Sequence, residues 1–233
     1  MKLVTLPIAS FIFLILSASI SAASASTTLS IFPTDSKPYG SPYEEHIKKY
    51  WQWLISLPAD QNPYKDKTGE KCGNGQLDTN SSVFYLSGGG GGKFSRTCTV
   101  PAGKGVLIPV MVVEVSDKEV PGATPEDLRR IAQKDQDSVT SLYLKIGDKE
   151  YPTQELKVYR TPTSEFDVVF PKDAIFGASE GPGKSIADGH YIITEPLEKG
   201  NYSITWKSGL LCQTTDCVEP NFAEDMNYNL VVK

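Results

Sequence analysis

Clustered positive charge is the plainest absence in this sequence. Its 23 Lys and Arg residues are outnumbered by 28 Asp and Glu, giving a net charge of −5, and no basic run or basic-aromatic stripe occurs. Phosphate backbones are bound by such clusters, so nucleic acid is not an expected partner. Two His and three Met are too few to suggest a copper site. A phosphate loop is missing too. Ser87-Gly88 to Lys93-Phe94 has Ser for the first glycine and Phe for the magnesium-binding hydroxyl, and Gly177 to Gly183-Lys184-Ser185 is one residue too long. The phosphate cradle depends on that spacing, so nucleotide binding is not expected. No Asp-x-Asp-x-Asp-Gly run forms an EF-hand loop. The C-terminal Tyr228 to Lys233 carries no hydrophobic tail for a lipid anchor.

What is present begins at the N-terminus. Lys2 precedes an apolar stretch, Leu3 to Ile20, followed by the small residues Ser21 to Ser26. This is the layout of a secretory signal peptide, with Ala23-x-Ala25 placing the cut before Ser26. A spanning helix needs ~20 apolar residues, and this run is interrupted by Thr5, Pro7 and several serines. The expectation is therefore residues 1–25 as signal peptide, 26–40 as a flexible lead-in and 41–233 as one domain. Loss of Lys2 leaves 22 basic against 28 acidic side chains, a net charge of −6. The localisation expected is secreted, extracellular or cell envelope, with no stable membrane span after cleavage.

Four cysteines stand at 72, 98, 212 and 217. An even count in an exported chain suggests disulfides, and three pairings are open. Proximity in sequence favours Cys72–Cys98 and Cys212–Cys217, which loop-closure entropy would reward with roughly 3.5 and 2 kcal/mol. A zinc site is the alternative, but the spacings lack the close doublets of such sites, and only His46 and His190 could complete one.

Secondary structure can be read in outline. Ser41-Pro42-Tyr43-Glu44 has the form of a capping box opening a helix over 42–57, with Tyr43, Ile47, Tyr50, Trp51 and Leu54 on one stripe. Thr124-Pro125-Glu126-Asp127 opens a second, short helix to about Asp137. Strands are expected at 83–86, 97–100, 105–115, 142–146, 150–151, 166–170, 190–194, 202–206 and 226–232. Val106 to Val113 reads as buried on both faces, with a bulge or edge at Pro109. The glycines 88–92 suggest a mobile hairpin tip, and residues 177–188 a loop. These elements predict a mainly β fold: an antiparallel β-sandwich, jelly-roll-like, with one N-terminal covering helix and one short inserted helix.

Several motifs together resemble a known family: Trp51-Gln-Trp53-Leu-Ile-Ser-Leu-Pro58 with Asn62-Pro63; Cys72; Arg96-Thr-Cys98-Thr-Val-Pro-Ala-Gly103-Lys104; and Asp188-Gly189-His190-Tyr191 with Pro196-Leu197 and Gly200. In this order they are similar to a family of exported, uncharacterised archaeal and bacterial proteins, over roughly residues 42 to 207. The resemblance implies two cysteines equivalent to Cys72 and Cys98 and implies no activity. Cys212 and Cys217 look like an addition to that pattern.

Candidate chemistry is sparse. Glu114, Asp117 and Glu119 follow the buried strand, and Asp188 precedes His190. Paired carboxylates can perform acid/base hydrolysis, and a carboxylate can orient a histidine; a solvated strand end and a turn are the plain alternatives. Asn74, Asp78 and Asn80 offer oxygen ligands for calcium, the one cofactor considered. Trp51 and Trp206 fit the core, whereas Trp53 falls off the helical stripe and is the candidate ligand contact. Asn80 and Asn201 lie in glycosylation sequons. No catalytic set emerges, and enzymatic activity is not the leading expectation. The leading one is a binding or surface-associated module for a glycan or another extracellular partner. The alternatives are an extracellular hydrolase using Glu114 and Asp188 with His190, and a structural envelope component. Intact-mass and N-terminal analysis of the chain from an exporting host is expected to give Ser26 as the first residue and all four cysteines oxidised.

Overall fold

Alternating burial along the strands sorts the side chains onto two sheets and a helical layer. In the computed structural model residues 29–76, 80–214, 217–218 and 220–233 are described. Sheet A has the order β1 (Val83–Tyr85), β3 (Gly105–Ser116), β7 (Gly181–Ile193), β6 (Phe166–Phe170). Sheet B has the order β2 (Gly92–Val100), β9 (Asn221–Val232), β8 (Gly200–Leu211), β4 (Val139–Ile146), β5 (Lys149–Pro152). Ile108, Val110 and Ile192 of sheet A meet Leu144, Ile204, Trp206 and Leu230 of sheet B in one buried cluster. The fold is thus a β-sandwich with a helix on its outer face.

That helix is α1 (Tyr43–Ser56), and its Ile47, Tyr50, Trp51 and Leu54 pack on the opposite face of sheet A with Phe166, Val168, Ala187 and Tyr191. Burial of so many large apolar side chains, each worth about 1.5–3 kcal/mol, fixes the helix there. A second helix, α2 (Pro125–Asp137), sits on the sheet B side, where Leu128 and Ala132 cover Val113, Val115 and Ile186 beyond the end of sheet B. Its start is a capping box between Thr124 and Asp127.

Several expectations need correction. The sandwich is not purely antiparallel, because β1 runs parallel to β3 and β2 parallel to β9. The chain leaves sheet A after β1, builds β2 in sheet B, and returns as β3 in the original direction, which a parallel pair requires. The Gly88–Gly92 stretch is therefore a crossover between sheets and not a hairpin tip. Residues 177–188 are not a loop: from Gly181 onward they form β7, between β3 and β6. Glycine suits this strand because neighbours crowd it; a Cβ on Gly189 would lie 2.7 Å from the Met111 carbonyl oxygen and from the Val112 Cα. The segment expected as a flexible lead-in is bound from residue 29 on. Leu29 is buried, Ile31 bridges Thr194, and the Phe32 amide donates to the Ile193 carbonyl. Its apolar side chains lie against the end of β7, which is why it does not fray.

The α1 cap also differs. Pro42 is the N-cap and no side chain caps it; Glu44 instead accepts from the amide and hydroxyl of Ser164 at 2.7 and 2.6 Å. The partner is distant in sequence, and its amide and hydroxyl both reach one oxygen of the carboxylate. Pro109 does mark a bulge, with the β3–β7 register shifting between Pro109 and Met111. Both disulfides, Cys72–Cys98 and Cys212–Cys217, are formed. Among the described residues no helix is long and apolar enough to cross a membrane. Gly189→Ala is expected to destabilise the chain by about 1–3 kcal/mol in urea denaturation, since backbone of β3 must move.

Candidate functional site: a slot along the edge of strand β3

A cavity of ≈ 560 Å³ opens beside β3, and seven consecutive residues, Pro109 to Val115, line it. Side chains of a strand alternate between faces, so seven in a row can share a cavity only along the strand's edge. β1 covers that edge at residues 105–107 alone. Beyond them β3 pairs with β7 on one side, and among the described residues no strand pairs with it on the other. One wall is α1 with Tyr64 and Phe176; the other is Ser208, Leu210, Phe222 and Glu224 of sheet B; α2 and Val218 close the far end.

The chain leaves this edge because Arg96 draws it away. Arg96 lies on the inward face of β2 and is 1% exposed. Its guanidinium donates to the carbonyls of Asp66 (2.7 Å), Ser87 (2.7 Å), Gly88 (3.1 Å) and Tyr64 (3.3 Å) and to the Tyr228 phenol (2.7 Å). Its Cζ also stands 4.9 Å from the Phe94 ring centre and 5.6 Å from that of Tyr228. After β1 the Leu86 amide still donates to the Leu107 carbonyl at 3.0 Å, and from Ser87 on the carbonyls turn to Arg96 and not to β3. Next to them Glu224 accepts from the Gly89 amide at 2.5 Å and from the Trp206 indole at 3.1 Å. Burial pushes its carboxyl up to about 7, against these donors and the charge of Arg96.

Polar groups without protein partners face the slot. Both oxygens of Glu114, both amide atoms of Gln136 and the Ser208 hydroxyl are buried and make no hydrogen bond within the described residues. These residues are 5%, 3% and 4% exposed. The neighbours of Glu114 are the Ser185 hydroxyl, itself without a partner among the described residues, and the Glu119 carboxyl. Burial and the Glu119 charge hold Glu114 well above the usual carboxylate range, and burial raises Glu119 as well. Glu119 is satisfied by the amide and hydroxyl of Ser116, at 3.0 and 2.6 Å.

The residues singled out from the sequence are not gathered at one point. On paired antiparallel strands, residues opposite each other share a face. Glu114 is opposite Ala187 and Asp188 is opposite Val113, so Glu114 faces α1 and Asp188 faces the other side of sheet A. Asp188 is committed to Arg160, whose Nε and Nη2 donate to its two oxygens at 3.1 and 2.7 Å. His190 shares the Asp188 face; burial and then Arg160 press its pKa down to about 4. Asp117 accepts from the Lys184 amide at 3.0 Å. The Glu114–Asp188–His190 combination therefore has no common cleft.

Trp53, expected to be free for a ligand, is fully buried and donates to the Asn74 carbonyl at 2.8 Å. Residues 57–76 fold back over α1, held by the Asn62 amide on the Leu54 carbonyl at 2.6 Å, and this cover lies outside the helical stripe. Of the calcium candidates, the Asn74 side chain donates to Gln61, Asn80 is exposed, and Asp78 lies outside the described residues. Among the described residues no group of three or more His, Cys, Asp or Glu could hold a metal ion. Both sequon asparagines, Asn80 and Asn201, are exposed. Arg96, Gln136, Ser208 and Glu224 went unrecognised as site residues. Arg96 alone carried a signal, a charged residue in phase with the inward-facing Cys98 and Val100.

No protein-family model and no curated protein matches the chain. Among solved structures, a chain of the complex of PbICP-C with falcipain-2 is similar with a TM-score of 0.25 and 11% identity, over 66% of this chain and 100% of its own. A likeness that slight carries no argument about fold or activity.

The buried carboxyls make stability depend on pH. Glu224 binds its proton more tightly folded than unfolded, so its contribution is fully present below about pH 4.5 and is lost as pH rises through about 7. His190 acts oppositely: its contribution is lost as pH falls from 6.5 toward 4. Comparison with Glu224→Gln cancels the histidine. Between pH 4.5 and 7.5 the wild type is expected to lose about 3 kcal/mol relative to that variant in urea titrations. A parallel pair of pH profiles would refute the assignment.

Proposed function

We propose that this chain is an exported binding module and that its ligand occupies the slot beside β3. The supporting observation is the convergence of Glu114, Gln136 and Ser208 on one cavity, each buried with polar side-chain atoms that find no partner among the described residues. Such groups cost about 1–3 kcal/mol apiece when left unmade, and ordered water or a ligand relieves that cost. Two disulfides suit an oxidising exterior. Apolar walls with isolated polar groups are the usual composition of a ligand site.

The chemistry calls for a ligand with an apolar body and hydrogen-bond donors. An oligosaccharide meets it with C–H faces and hydroxyls, and the half-exposed Phe176, edge-on to Tyr64 at 4.9 Å, offers an aromatic rim at the mouth. A polypeptide segment meets it with side chains and amides. Hydrolysis by Glu114 with Asp188 and His190 is not supported, because those groups face opposite sides of a sheet.

The test is to probe the full chain with an oligosaccharide array and with a displayed library of random dodecapeptides, beside a Ser208→Trp variant whose indole would fill the slot. Binding in at least one arm, weakened tenfold or more by the variant, is expected. Absence of binding in both arms at millimolar glycan and after repeated library selection would overturn the reading.

A further inference from the structure

The feature that distinguishes the two ligand classes is the strand edge. A strand's amides and carbonyls point alternately to its two sides, so the uncovered side of β3 presents main-chain donors and acceptors in a row. Proteins normally cover, shorten or charge such an edge. Here it is long, apolar and sunk between two walls. The slot also lies in line with β1, which pairs with Gly105 to Leu107 and then departs. Among the described residues the next strand position of sheet A is thus filled beside Gly105 to Leu107 and vacant beside the seven residues Pro109 to Val115, a length of about 23 Å at ~3.3 Å per residue.

Charge selects among strands. Among the described residues Glu114, Glu119, Asp135 and Glu224 line the slot against a single cation, Arg130, which is already paired with Asp127 at 3.2 Å. Glu114 is buried with both oxygens unpartnered. A cation beside it would restore the ionised form that burial suppresses. Gln136 adds an orphaned amide at the far end and Ser208 an orphaned hydroxyl on the sheet B wall.

We propose that the slot receives an extended segment of a partner polypeptide, which pairs with the β3 edge between Pro109 and Val115 as an added strand and directs a Lys or Arg side chain at Glu114. This rests on the slot being the binding site. Main-chain pairing would supply much of the affinity, and the orphaned side chains the selectivity. A sugar can use Glu114, Gln136 and Ser208 but cannot use the periodic amides of the edge.

The experiment takes the peptides selected from the dodecapeptide library against the full chain. Enrichment of sequences alternating apolar and polar residues with a Lys or Arg is expected. N-methylation of alternate main-chain amides in a selected peptide should weaken it at least tenfold in one phase and little in the other. Glu114→Gln should weaken it about tenfold. Amide hydrogen exchange on the wild type gives a readout independent of variant folding: the peptide should protect amides between Val110 and Val115. Peptides that bind without protecting β3, or that tolerate N-methylation in both phases, would overturn the proposal. Slot-dependent glycan binding without peptide enrichment would also overturn it while leaving the binding-site reading intact.

Discussion

One buried guanidinium organises the part of this molecule where function is proposed. Arg96 reaches from the inward face of β2 to carbonyls at 64, 66, 87 and 88 and to the Tyr228 phenol. Those acceptors belong to the cover over α1, the crossover between sheets and the last strand. A buried cation with multiple carbonyl acceptors is costly to disrupt, since each loop that moved away would leave both donor and acceptor unmet. The same contacts set the departure of the chain from β3. The slot is thus a consequence of where Arg96 finds its acceptors.

Around that constraint the molecule keeps a tension between close packing and the satisfaction of its polar groups. A sandwich ordinarily fills the space between its layers with interdigitating side chains. Here three polar side chains and a bare strand edge face a cavity, and three carboxyls, of Glu114, Glu119 and Glu224, are held above their usual range by burial. Departures from local consistency of this kind concentrate at binding and catalytic sites. α2, Cys217 and Val218 close the far end, where the Val218 amide donates to Asp135 at 3.0 Å. The second disulfide therefore holds a wall of the slot, while Cys72–Cys98 ties the cover of α1 to β2.

Much of the architecture was legible in the residues. The stripe of α1, the Thr124–Asp127 cap, the Pro109 bulge and the alternation of β8 and β9 all follow from side-chain periodicity and turn chemistry, which are local. The misreadings share one cause. Gly181 to Asp188 lacks the composition of a strand but becomes one because β3 and β6 flank it. Trp53 lies off the stripe but is buried because residues 57–76 return over it. Glu44 leaves its own helix cap for Ser164. In each case a distant segment outbid a local preference, and no window of sequence contains that segment. The site was less legible still: Glu114 stood out as an acid at a strand end, but Gln136, Ser208 and Glu224 are ordinary polar residues until the sheets meet.

Local chemistry in the chain was enough to indicate a mainly β sandwich with a covering helix and to favour the pairing of neighbouring cysteines. These depend on periodicity, propensity and short loop closure, each set by residues close together in the chain. Tertiary structure alone decided that β1 stops three residues along β3, that Glu114 and Asp188 face opposite sides, and that unpartnered polar groups converge on the exposed edge. Those outcomes depend on which distant segments compete for the same backbone groups, and that competition is resolved only when the layers pack.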